Sequence, residues 1–132
     1  MDFVSIRIIT GDMARLVDFY ERATGVEASW FGEDFAELRT ASATLAIGST
    51  RTVTLFAPGA ARPAGNRSVI IEFLVDDVDG VHQNLSGFVE DFVKEPTTMP
   101  WGNRSLLLRD PDGNLVNFFT PVTPAAIEKF AR

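Results

Sequence analysis

The sequence predicts an α+β fold made of two similar strand–helix–three-strand modules. Three observations carry that expectation. An amphipathic helix follows an alternating strand twice. Each helix begins at an aspartate and is followed by strand-forming segments, and one linker-like stretch separates the two series.

The first strand is read from Val4, Ile6 and Ile8, which alternate with Ser5 and Arg7. Asp12 then offers a side-chain cap to a helix striped by Met13, Leu16, Val17 and Tyr20, and Gly25 supplies its stop. Three strands are expected next, over residues 35–39, 44–47 and 52–57. Residues 58–67, rich in Pro, Gly and Ala, read as a linker.

The pattern then restarts. A strand over 68–75 leads to Asp77, which caps a helix striped by Val78, Val81 and Leu85 and closed by Gly87. Strands follow at 89–94, 101–109 and 115–120. Aligning Asp12 with Asp77 maps Ser5 onto Ile70 and Arg7 onto Glu72. Module 1 is thus about 1–57 and module 2 about 68–121, in a single domain with a tail helix at about 124–130 capped by Thr123.

Composition narrows the function. A net charge of −6 disfavours nucleic acid as a partner, because phosphate binding needs clustered Lys and Arg. The absence of Cys removes disulfides and thiolate metal sites. The opening residues lack a signal-peptide pattern and no apolar run approaches membrane-spanning length. A cytoplasmic protein with no membrane partner is expected. There is no G-x-G-x-x-G, Walker or G-x-S-x-G motif, so nucleotide cofactors and a serine triad lack support. The DPDGN run at 110–114 is a hairpin turn rather than a calcium loop. Counted from Asp110, the glycine and glutamate that such a loop needs fall on Leu115 and Pro121.

Several segments resemble one family. Asp12 through Phe19-Tyr20 to Gly25, Phe73-Leu-Val-Asp-Asp77, and Trp101-Gly102 followed by Asp110-Pro-Asp-Gly-Asn114 are similar to motifs of the vicinal oxygen chelate superfamily. That superfamily comprises glyoxalase, bleomycin resistance and extradiol dioxygenase proteins. The likeness runs from Phe3 to Pro121 and implies a homodimer and a curled mixed sheet forming a cup around a small-molecule site, the cup closed either within one chain or across a module-exchanged dimer.

Strand parity then assigns the cup. Val4, Ile6, Ile8, Val53, Leu55, Val69, Ile71, Phe73, Val75, Val116 and Phe118 are expected beneath the helices. The opposite face receives Ser5, Arg7, Thr54, Phe56, Ile70, Glu72, Asn117 and Phe119, with Trp101 at the mouth of the last hairpin. Metal-dependent members of the family place His or Glu at positions that look like Ser5, Thr54, Ile70 and Asn117 here. None suits a divalent transition metal, so no metal and no cofactor are expected. Arg7 and Glu72 read either as a buried ion pair joining the modules or as a polar clamp for ligand. The leading expectation is a metal-independent binding protein for a flat or partly apolar molecule, such as an antibiotic. The alternative is a divergent glyoxalase-like lyase or isomerase, or a dioxygenase-like enzyme.

Overall fold

The computed structural model describes residues 1–131, which form two units. The first comprises Met1–Asn66 with Pro111–Gly113, and the second Arg67–Asp110 with the chain from Asn114 onward.

In the first unit β1 (Ser5–Thr10) leads to α1 (Met13–Thr24), then β2 (Ser29–Trp30), β3 (Phe35–Arg39), β4 (Thr44–Ser49) and the short helix α2 (Thr50–Thr54). The strands form one mixed sheet in the order β1-β4-β3-β2, with β1 parallel to β4 and the other pairs antiparallel. Asp12 caps α1 by accepting from the Arg15 N–H at 3.1 Å, and Gly25 ends it at φ 73°. The helix packs on β3 and β4. There Leu16, Val17 and Tyr20 meet Leu38 and Ile47, all at most 1% exposed. Each such aliphatic side chain contributes about 2 kcal/mol by leaving water.

The second unit repeats the plan: β5 (Ile70–Leu74), α3 (Val78–Leu85), β6 (Phe92–Thr98), β7 (Asn103–Arg109) and β8 (Leu115–Pro121). Its sheet runs β5-β8-β7-β6, again with one parallel pair, β5 with β8. Asp77 caps α3, which packs on β6, β7 and β8 over Leu106, Leu108, Val116 and Phe118. Phe73 stacks on Phe118 at 5.3 Å. Asp110 and Asn114 close the last hairpin, with the Asn114 N–H donating to Asp110 Oδ1 at 2.9 Å and Gly113 at φ 85°. A final helix, α4 (Pro124–Lys129), is capped by Thr123.

The strand expected over 52–57 is not there. Ser49 instead accepts from the Arg51 N–H and starts α2, while Thr52 and Thr54 hydroxyls donate to the Ser49 and Thr50 carbonyls. Such local side-chain bonds compete with a sheet ladder, although alternating Thr and Val favour strand on propensity alone. The third strand of the module is β2, whose two residues carry no readable periodicity.

The burial expected for the strand starts also differs. Val4, Ile6 and Val69 are 66%, 36% and 45% exposed, because the helices lie over the later strands rather than over the beginnings of β1 and β5. Leu55, expected beneath a helix, is 85% exposed in the turn after α2, whereas Val53 is buried.

Candidate functional site

Strand register defines the face of each sheet turned away from its packed helix. In the first unit Arg7 pairs with Ala46, which pairs with Glu37, which pairs with Ser29. Side chains paired across a ladder share a face, so Ser5, Arg7, Ala46, Gly48, Phe35, Glu37 and Arg39 lie together. Ala46 and Gly48 are small and make a low floor on β4. Phe35, Glu37, Ala46 and Gly48 were not singled out from sequence, although Phe35 and Glu37 alternate visibly with Ala36 and Leu38.

Arg7 dominates this face. Its Cζ lies 5.2 Å from the Phe35 ring centre and 5.6 Å from that of Phe56, within cation–π reach of both. Phe56 reaches it from the turn after α2, where its N–H donates to the Val53 carbonyl. The neighbouring carboxylate, Glu37, accepts from Arg39 Nη2 at 2.8 Å and Nε at 3.3 Å. Thr54 is elsewhere, at the end of α2, with its hydroxyl donating to Thr50. Its expected place opposite Ser5 and Arg7 belongs to β4, whose Ala46 stands where Asn117 stands in the second sheet.

In the second unit the corresponding row is Glu72, Asn117, Leu107 and Lys94. Asn117 is only 8% exposed, and its Nδ2 donates to Glu72 Oε2 at 2.8 Å. Its Oδ1 is buried with no hydrogen-bond partner among the described residues. A buried amide oxygen without a donor costs roughly 1–3 kcal/mol. Ile70, on the same face, is 47% exposed. Phe119 is 7% exposed and packs edge-on against Phe130 from α4 at 5.1 Å, so the tail covers that part of the face. Trp101 is 68% exposed in the turn between β6 and β7. Each of Arg7 and Glu72 thus has its partners inside its own unit.

The donor set does not fit a divalent transition metal. The first face offers Ser5 and a Glu37 already engaged by Arg39; the second offers Glu72, Asn117 and Ser105. Among the described residues no group of three His, Cys, Asp or Glu side chains could hold a metal ion. The one histidine, His82, sits on α3 with its ring edge-on to Phe92 at 5.0 Å. No helix among the described residues is long and apolar enough to cross a membrane.

Known structures share this architecture. A glyoxalase/bleomycin resistance protein/dioxygenase from Nocardioides is 20% identical, with 94% of this chain and 85% of that chain covered and a TM-score of 0.75. A family enzyme of the same description from Burkholderia phytofirmans PsJN is 17% identical, covering 92% and 100% with a TM-score of 0.78. A virulence protein from Salmonella typhimurium is 22% identical, covering 92% and 98% with a TM-score of 0.72. No functionally curated protein matches the chain. The family model for the glyoxalase/bleomycin resistance protein/dioxygenase superfamily matches residues 2–118. With the repeated strand–helix–three-strand plan, that match across nearly the whole sequence places the chain in this superfamily.

Proposed function

We propose that the protein binds a flat or partly apolar small molecule without a metal, and sequesters it, an antibiotic or a comparable metabolite being the expected type. The observation that carries this reading is Asn117. A nine-tenths buried amide whose oxygen lacks a donor, fixed by Glu72 through its nitrogen, is a preorganised acceptor for a ligand N–H or O–H. Glu72 itself is exposed and presents a second acceptor beside it. The poor donor set on both faces supports metal independence.

Thermal unfolding in EDTA with a panel of flat aromatic compounds tests this. Some members should raise the midpoint of the wild-type protein and fail to raise that of Asn117→Leu. Stabilisation that appears only on adding a divalent cation would contradict it. A second reading draws on the Glu72 carboxylate, of which only one oxygen accepts from Asn117: a lyase or isomerase in which the other takes a proton from substrate.

The protein is also proposed to be a homodimer, with no nucleic acid or membrane partner and a cytoplasmic location. Phe3, Val4, Ile6 and Ile70 leave apolar surface exposed at the edge strands β1 and β5, and edges of this kind call for cover.

A further inference from the structure

We infer that Arg7, on the face of the first unit, is the anchor for the carboxylate of a small organic acid; this rests on the reading of the protein as a small-molecule binder and names the ligand class of that face. Among the described residues Arg7 has no hydrogen-bond or ion-pair partner, and its guanidinium lies against the Phe35 and Phe56 rings. The carboxylate closest to it in the ladder, Glu37, stands two strands away across Ala46 and is held by Arg39. Arg7 therefore brings one uncompensated positive charge to the face.

Shape comes next. Gly48 lies beneath the Arg7 stem: a Cβ there would stand 3.5 Å from Arg7 Cδ and 2.7 Å from Thr52 Oγ1. The 3.5 Å approach to Arg7 Cδ is ordinary contact, so the stem runs closely over the β4 backbone, while the tight contact is with Thr52; Phe35 on one strand and Phe56 beyond α2 flank the head. Two rings within cation–π reach hold the guanidinium without using its N–H groups. A planar fork of N–H donors that is already oriented matches a carboxylate in two parallel hydrogen bonds. Preorganisation by the rings lowers the entropy lost on binding.

The class follows from what is missing as well. Glu37 and Arg39 neutralise each other, and no lysine shares the face, so one net positive charge is available. That balances a monoanionic carboxylate and undercompensates a phosphate dianion. The flanking Phe35 and Phe56 rings favour an acid whose carboxylate is attached to a flat or aromatic body.

Matched acid and amide pairs test the inference: benzoate against benzamide, and indole-3-acetate against indole-3-acetamide. Titrations of ¹⁵N-labelled protein would be followed through backbone amides and the arginine Nε–H signals. Each acid should bind about tenfold more tightly than its amide and shift the Arg7 Nε–H signal. Arg7→Met should abolish the preference, the acid and amide of each pair then binding equally, and Arg7→Lys should restore only part of it. Amides that bind as tightly as the acids, or an acid preference that survives in Arg7→Met, would overturn the carboxylate assignment and leave the small-molecule reading standing. If neither acids nor amides move any resonance, both fall together.

Discussion

At Gly102 the backbone takes φ 95°, and a methyl group built there would collide with the Thr123 hydroxyl and approach Ala126 Cβ at 3.0 Å. The same residue's carbonyl accepts from the Val122 and Thr123 N–H groups, tying the β6–β7 turn to the start of α4. Gly102→Ala should therefore cost roughly 1–3 kcal/mol, from left-handed backbone strain and overpacking together, read as a lower urea midpoint. A second residue gives the protein an acid-sensitive contact. Hydrogen bonds from Arg104 to Asp79, at 2.8 and 3.0 Å, hold the Asp79 carboxyl below its ordinary 3.8; partial desolvation opposes this, and the charges of Arg104 and His82 assist it. A carboxyl lowered by folding adds stability that is complete above its unfolded value and fades as pH falls through the folded one. Asp79→Asn should thus flatten the dependence of the urea midpoint on pH between about pH 5 and pH 3, and the difference should shrink in high salt because the pair is exposed. Asn117 and Glu72 were legible from strand parity alone, as was Arg7. Phe56 was placed beside Arg7 from sequence, but on a strand rather than in the turn that carries it; Phe35 was not, and Asn117's burial depends on neighbours far away in sequence.

Among the elements, capping aspartates, apolar stripes and the DPDGN turn fixed the helices and the last hairpin from sequence. The short pieces escaped. β2 has two residues, too few for a period to show, and α2 is written in Thr and Val, which favour a strand until Ser49 intervenes. Ser49 ends β4, accepts from the Arg51 N–H at 3.2 Å and donates to Asp34 Oδ1 at 2.7 Å. Ser49→Ala should lose the cap and that bond together, lowering stability by roughly 1–2 kcal/mol in chemical denaturation. Misassigning this one segment moved Thr54 onto the candidate face and hid Ala46 and Gly48. A register error of one strand changes an entire half of a site. The starts of β1 and β5 show a related limit. Alternation tells which side chains share a face, but not whether a helix reaches far enough along the strand to cover them.

For the whole molecule, two copies of one plan have diverged most on the faces away from the helices. Where the first sheet carries Arg7, Ala46 and Glu37 in a row, the second carries Glu72, Asn117 and Leu107. Core positions keep their apolar character in both, as a packed interior requires, whereas no matched position of these rows keeps its residue type. Family membership rests on the family-model match over residues 2–118, whereas the rows set what each face can do chemically. The most direct test of ligand binding without metal watches the Asn117 side-chain amide in EDTA-treated, ¹⁵N-labelled protein during a screen of small aromatic and heteroaromatic compounds. The account predicts that bound compounds shift the Asn117 Nδ2 resonances with no cation present. A screen in which no compound moves those resonances, or in which they move only after a divalent metal is restored, would contradict it.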